Sequence, residues 1–169
     1  FIVSNPNKPT AYVNAREDQA TGLIDYQGVM IEEEAYIDFS NQPSMKEWIN
    51  DFPNLVVVQT LSKAYGMAGL RVGMAIANVE WISALNTIKP PYNVSSLVQE
   101  TALELMKSTD WKTIIPTIIA ERTRVFEALN QQSGVLEVFP SEANFILFRI
   151  ADANSLYRNL ADAGVVVRN

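Results

Sequence analysis

The block from Thr60 to Gly73 constrains this chain more than any other stretch of it. It follows the apolar run 55–58, which is typical of a buried strand, and it reads TLSKAYGMAGLRVG. The small residues between Lys63 and Arg71 predict a backbone that turns tightly and comes close to a ligand. We therefore expect a core strand followed by a turn, with the cationic side chains of Lys63 and Arg71 in that turn at the edge of a sheet.

The side chains of this block suit a carbonyl-reactive cofactor that carries a phosphate. A lysine buried without a partner loses its charge, and a neutral lysine is a nucleophile for carbonyl groups. Arg71 and the hydroxyl groups of Thr60 and Ser62 can hold a phosphate monoester close to Lys63. This combination indicates pyridoxal phosphate. The alternatives are a solvated surface lysine and, for Arg71, a surface ion pair.

The whole block resembles the cofactor-lysine motif of the fold-type I pyridoxal-phosphate aminotransferases, in the version carried by the histidinol-phosphate aminotransferases. The resemblance implies that Lys63 bonds the cofactor and moves the proton between the substrate carbon and the cofactor carbon. It also implies that Ser62 and Arg71 bind the cofactor phosphate and that Thr60 joins them.

A second cluster, Glu33-Glu34-Ala35-Tyr36, resembles the Asp-Glu-Ala-Tyr motif of the same family. There the aspartate pairs with the pyridine nitrogen and the tyrosine hydrogen-bonds the phenolate oxygen of the cofactor. Glu33 departs from the motif by one methylene but keeps the carboxylate. The alternative for Tyr36 is an ordinary core aromatic.

A third cluster, residues 5–11, reads NPNKPTA and resembles the family's Asn-Pro-Asn-Asn-Pro-Thr-Gly. Lys8 stands where the family has the asparagine that contacts the phenolate oxygen, and Ala11 stands where it has glycine. Asn7 is the neighbouring asparagine, and we expect it to bind the cofactor in place of the missing one.

Hydrophobic periodicity and turn residues predict an α/β protein with a three-layer, mostly parallel sheet. The resemblance implies that this sheet is part of the large domain of fold-type I enzymes. The polar clusters all follow predicted strands, and ligands of such sheets bind at the carboxyl ends of strands. Thr21-Gly22 predicts an end to any helix in 14–23. The other predicted helices cover 44–51, 79–88, 97–107, 110–132 and 153–163. The predicted strands cover 1–3, 28–31, 55–58, 72–77, 136–139, 145–150 and 165–167.

We expect two parts in the chain, with a boundary near Asp110. Residues 1–109 are interpreted as part of the large cofactor-binding domain, and 110–169 as a linker helix with part of a small α+β domain. Arg168 matches a family arginine that holds the acidic end of the substrate. Because both chain ends fall in apolar runs without an initiator Met, we interpret the chain as an internal piece of a longer protein.

Composition excludes several classes of function. The 169 residues contain no histidine and no cysteine, which removes Ser-His and Cys-His catalysis, thiolate metal sites and disulfides. The net charge of −6 comes without a basic stripe, so we expect no nucleic-acid partner. No apolar run is long enough to span a bilayer and no signal peptide is visible, so we expect a cytoplasmic protein.

The resemblance implies transamination between L-histidinol phosphate and 2-oxoglutarate in histidine biosynthesis. The resemblance implies a homodimer, because active sites of this fold are completed across the subunit interface. The alternatives are another fold-type I enzyme, either an aromatic or aspartate-type aminotransferase or a threonine-phosphate decarboxylase, or a catalytically silent module that binds pyridoxal phosphate.

Overall fold

The computed structural model describes residues 1–169, apart from the side chains of Arg16 and Glu17. Its strands are β1 (Ile2–Ser4), β2 (Met30–Glu33), β3 (Leu55–Thr60), β4 (Gly73–Ala77), β5 (Val135–Val138) and β6 (Phe148–Ile150). Its α-helices are α1 (Arg16–Asp25), α2 (Val79–Ile88), α3 (Ser96–Ser108), α4 (Trp111–Gln131) and α5 (Ala153–Asp162). Short 3₁₀ helices lie at Ile37–Phe39, Met45–Trp48 and Ala68–Leu70.

The first four strands form one sheet in the order β1-β2-β3-β4. β1, β2 and β3 run parallel, and β4 runs antiparallel to β3. The sheet is therefore mostly parallel, as predicted. The carboxyl ends of three strands and the start of the fourth meet at one edge, which we call the carboxyl edge.

One face of this sheet carries the apolar core beneath α1. Register alignment puts Met30 beside Leu55, and Leu23 of α1 packs against both. Met45, from the 3₁₀ helix that follows β2, is only 1% exposed in the same cluster. Burial of these aliphatic side chains fixes which face of each strand points inward.

The second part of the chain consists of α4, the antiparallel pair β5-β6 and α5. Ile115 and Ile119 of α4 pack against a buried cluster that includes Tyr36 and Phe39. The long helix therefore contacts the first part of the chain directly. The predicted domain boundary near Asp110 falls one residue before α4 begins, and it stays a prediction.

Four predicted elements differ clearly from the structure. The strand predicted for 145–150 forms only over Phe148–Ile150. α1 continues through Gly22 to Asp25, because its inward residue Leu23 is buried in the core. The helix predicted for 44–51 is a 3₁₀ helix over Met45–Trp48, although Ser44 caps it as expected by accepting from the backbone of Lys46. The strand predicted for 165–167 does not form, since no strand of the described chain lies beside it.

Among the described residues, no helix combines the length and the apolar character needed to cross a membrane.

Candidate functional site

The three polar clusters found in the sequence meet at the carboxyl edge of the sheet. Ser4 at the end of β1 lies beside Glu33, and Glu33 lies beside Val58 of β3. Thr60, at the end of β3, pairs with Gly73 at the start of β4. The topology therefore brings residues far apart in sequence to one edge, as the pattern predicted.

Lys63 lies three residues beyond β3, and its ammonium group faces the ring of Tyr36. The distance from Nζ to the ring centroid is 5.5 Å. Tyr36 is buried and also makes an edge contact with Phe145, with ring centroids 5.2 Å apart. Lys63 itself is exposed rather than buried, so its accessible amine can reach a ligand over the aromatic surface.

The turn from Thr60 to Gly73 is held by its own hydrogen bonds. The hydroxyl group of Thr60 donates to the carbonyl of Val72 at 3.3 Å and accepts from the backbone N–H of Ser62 at 3.1 Å. The Thr60 hydroxyl therefore shapes the turn in this structure. Its predicted contact with a phosphate stays a prediction, as does that of Ser62.

Arg71 closes this turn in a backbone conformation that is rare for a residue with a side chain. Its φ is 57°, in the left-handed region that glycine adopts most readily. Nη1 donates to the carbonyl of Ala68 at 3.1 Å, and the side chain is exposed. A side chain held in this way at the edge of the turn can present its planar donors to an anion.

Glu33 is held by two hydrogen bonds at the carboxyl edge. Its carboxylate accepts from Ser4 Oγ at 2.9 Å and from the backbone N–H of Ala35 at 3.0 Å. These donors orient the carboxylate between β1 and the segment that carries Tyr36. An oriented, half-buried carboxylate can stabilise a nearby cation such as a protonated ring nitrogen.

Residues 5–14, which we call the Asn-Pro loop, follow β1. The side chain of Asn7 accepts from Thr10 Oγ1 at 2.9 Å, so its amide is engaged within the loop, whereas Lys8 is exposed. Ala11, at the family's glycine position, has φ 57° and is fully buried. The loop thus keeps a left-handed backbone where a glycine is expected, and the cofactor contact of Asn7 stays a prediction.

Arg168 lies in the exposed tail after α5. The structure places it in no strand and beside none of the other predicted site residues through a hydrogen bond or ion pair among the described side chains. Its predicted contact with substrate also stays a prediction.

Sequence reasoning missed a buried polar network behind the carboxyl edge. Glu34 accepts from Ser44 Oγ at 2.5 Å, from the backbone N–H of Met45 at 2.7 Å and from Gln59 Nε2 at 2.8 Å. Glu32, two residues earlier on the same face, is fully buried. Strand alternation from the apolar Met30 was the available signal, because it directs Glu32 and Glu34 inward and Glu33 to the opposite face.

One cavity of about 370 Å³ lies near the start of β4. It is lined by Val72, Lys89, Pro91, Asn93, Val94 and Gln99. None of the predicted site residues lines it, but Val72 lies between Arg71 and Gly73 and its carbonyl accepts from Thr60, so the cavity adjoins the turn that carries Lys63.

The family model for aminotransferase class I and II matches residues 1–169. The chain belongs to this family. Its sheet, with the turn that carries Lys63, is therefore compared with solved structures of fold-type I enzymes.

Relatives and solved structures agree on the fold. The chain is 44% identical over 171 residues to the histidinol-phosphate aminotransferase of Flavobacterium psychrophilum, covering 100% of this chain and 49% of that relative. The histidinol-phosphate aminotransferase structure from Clostridium acetobutylicum has a TM-score of 0.90 at 28% identity, covering 99% of this chain and 53% of that one. The L-threonine-O-3-phosphate decarboxylase structure from Porphyromonas gingivalis has a TM-score of 0.84 at 25% identity, covering 99% and 51%.

The chain thus spans about half the length of the curated relatives it matches. The aminotransferase fold is confirmed, with β1 to β4 as part of its sheet.

Proposed function

We propose that this chain carries the lysine-bearing part of a pyridoxal-phosphate-dependent histidinol-phosphate aminotransferase. The observation that carries the proposal is the meeting of Lys63, Tyr36 and Glu33 at one sheet edge, in a chain that belongs to the aminotransferases. The residues of this edge are the amine, the aromatic surface and the carboxylate that the cofactor requires.

The chemistry of the edge fits pyridoxal phosphate. When bound, the cofactor supplies an electron sink for charge that develops at the substrate carbon. Lys63 is accessible for a bond to the cofactor aldehyde. Once the amine of the substrate has replaced Lys63 in that bond, the freed amine of Lys63 would take the proton from the substrate carbon and return it to the cofactor carbon. Glu33, oriented by Ser4 and the Ala35 amide, would hold a proton on the ring nitrogen.

The remaining roles concern anchoring. Arg71 and Ser62 bind the phosphate at the turn after β3, with Thr60 shaping that turn. Tyr36 and Asn7 lie on the segments that follow β2 and β1, where the phenolate side of the ring would sit. Arg168 holds the phosphate end of the substrate.

The choice of substrate is supported by the relatives. The matching protein of Flavobacterium psychrophilum is named a histidinol-phosphate aminotransferase, and its similarity covers the whole of this chain. We propose L-histidinol phosphate as amino donor and 2-oxoglutarate as acceptor, in a cytoplasmic homodimer. Half of such a relative lies outside this chain, so the activity belongs to the full-length protein.

The test is an amino-transfer assay of the full-length protein with L-histidinol phosphate and 2-oxoglutarate. We expect turnover and a cofactor absorption band that both disappear in Lys63→Ala, because the reactive amine is removed. Lys46→Ala, which removes an exposed lysine elsewhere on the first part of the chain, is the matched control and should keep both.

The second candidate is a phosphoamino-acid decarboxylase, since the Porphyromonas gingivalis decarboxylase shares the fold over 99% of this chain. Release of carbon dioxide from L-threonine phosphate, without amine transfer from histidinol phosphate, would replace the proposed activity by this one. A Lys63-dependent absorption band with neither reaction would favour a silent cofactor-binding module.

A further inference from the structure

Glu32 places an acid in the middle of an apolar core. Strand register sets it between Val3 of β1 and Val57 of β3, which both belong to the apolar cluster beneath α1. Its side chain is 0% exposed. A carboxyl group in such surroundings is costly unless it is neutral or well bonded, so its partners are informative.

The partners of Glu32 come from two other elements. Its Oε1 accepts from Nε2 of Gln19 on α1. The pairing of Val3 with Glu32 places the side chain of Asn5, two residues after Val3, on the same face next to the carboxyl group, where it lowers the pKa of Glu32. Gln19 and Asn5 are 5% and 3% exposed. The second oxygen, Oε2, is buried and has no hydrogen-bond partner among the described side chains. One acid is thus bonded to α1 and lies beside the stem of the Asn-Pro loop.

Asn5 in turn closes the Asn-Pro loop. Its backbone N–H donates to the carbonyl of Glu33 at 2.9 Å, and its Oδ1 accepts from the backbone N–H of Asn14 at 3.0 Å. The first residue of the loop therefore binds the last one and is anchored to β2. Any group that fixes the amide of Asn5 also fixes the stem from which Asn7 and Lys8 project.

We propose that Glu32 is a positioning residue, which acts through Asn5 and Gln19 to hold the stem of the Asn-Pro loop and α1 against the carboxyl edge. The consequence for cofactor binding rests on the proposed function. The tether itself does not, because it is built from contacts within the chain.

The charge state of Glu32 follows from its surroundings. Burial, and then the neighbouring Glu34, raise its pKa from 4.5 to about 8, against the lowering effect of the polar side chains of Asn5 and Gln19. The charged groups that act on it are Glu34 and, more weakly, Glu33. Its neighbours from α1, β1 and β3 among the described side chains are the neutral Gln19, Asn5, Val3 and Val57.

The folded protein therefore binds a proton that the unfolded chain has released between pH 4.5 and about 8. Its stability falls as the pH rises through this range and is not changed further by Glu32 above it. Openings that let water reach Glu32 are favoured in the same direction. Loosening of the loop stem and loss of stability should thus share one pH window.

The test compares Glu32→Leu and Glu32→Gln with the full-length wild type by hydrogen exchange at the Asn14 amide, corrected for intrinsic rates. We expect Glu32→Leu to lower protection there about tenfold, the effect of one lost hydrogen bond of the tether. Glu32→Gln, which keeps an acceptor for Gln19, should retain most of the protection. Amides of α3 serve as the internal reference and should not change.

The pH dependence separates a tether from simple packing. Between pH 5 and pH 9, the stability of wild type relative to Glu32→Gln should fall, whereas the exposed-site control Glu104→Gln should follow wild type. Equal Asn14 protection in Glu32→Leu and wild type would overturn the proposal, as would parallel pH profiles for wild type and Glu32→Gln. If Glu32→Leu lost protection at the Asn14 amide but the full-length wild type bound no cofactor, the proposed function alone would be overturned.

Discussion

At the scale of single residues, the three adjacent glutamates at the carboxyl edge differ in burial and in hydrogen bonding. Glu33 is half-buried and bonded by Ser4 and the Ala35 amide. Glu34 is buried with a full set of donors, whereas Glu32 is buried with one unpartnered oxygen. The alternation of the strand decides these roles, because it sends neighbouring side chains to opposite faces.

Substitution of Glu33 tests its charge separately from its packing. Glu33→Gln keeps one acceptor oxygen, for the Ala35 N–H, and places an NH2 group next to the Ser4 hydroxyl, which can accept from it, but the amide cannot hold a proton on the ring nitrogen. We expect kcat to fall by about tenfold or more, since a hydrogen bond to a charged group is worth about 1.5–3 kcal/mol. Glu33→Asp restores the family's residue and should lose much less. A Gln variant as active as wild type in amino transfer would contradict this role.

At the scale of elements, α2 and α3 each begin after a residue whose side chain caps the helix. Asn78 accepts from the backbone N–H of Glu80 at 3.3 Å and starts α2. Ser95 accepts from the backbone N–H of Val98 at 3.3 Å and starts α3. These caps satisfy backbone donors that the helices leave open. Local chemistry therefore explains why the start of α2 was predicted correctly and that of α3 to within one residue, since α3 begins at Ser96 and not at the predicted residue 97.

Removal of the α2 cap has a measurable cost. We expect Asn78→Ala to lower the free energy of unfolding of the full-length protein by about 1 kcal/mol, because the first turn loses its side-chain acceptor. The control is Asn86→Ala, the same substitution at an exposed position within α2, where alanine has the higher helix propensity. It should leave stability unchanged or slightly higher. Equal losses in urea unfolding of the two variants would contradict the capping role.

At the scale of the whole molecule, Arg122 connects the two parts of the chain. Its Nη1 donates to the carbonyl of Phe39 at 3.1 Å and to that of Ala143 at 2.9 Å. Phe39 lies in the 3₁₀ helix that follows β2, and Ala143 lies between β5 and β6. One guanidinium on α4 thus joins the first part of the chain to the second.

Truncation of this arginine should weaken the junction. We expect Arg122→Met, which keeps the apolar stem, to destabilise the full-length protein by about 2 kcal/mol because two carbonyls lose a charged donor. Arg124→Met is the matched control on the same helix, since its ion pair with Glu121 is exposed and such pairs contribute little. If thermal unfolding moved equally in both variants, the bridging role of Arg122 would be wrong.

Much of the fold could be predicted because its signals are local. The apolar runs that became β1 to β4, the caps of α2 and α3 and the Thr60–Gly73 turn all depend on neighbours in sequence. The failures had non-local causes. Burial of Leu23 carried α1 past Gly22, and 165–167 lacked a neighbouring strand among those described.

The sequence by itself determined the family, the place of the Lys63 motif after a core strand and the order of most elements, since motif spacing and periodicity are properties of consecutive residues. Only the tertiary structure decided that β4 runs antiparallel, that Lys63 faces Tyr36 and that Glu32 is buried rather than part of an acidic surface. The physical reason is that register and burial arise between strands and helices distant in sequence. The charge and bonding of a side chain depend on what packs around it there.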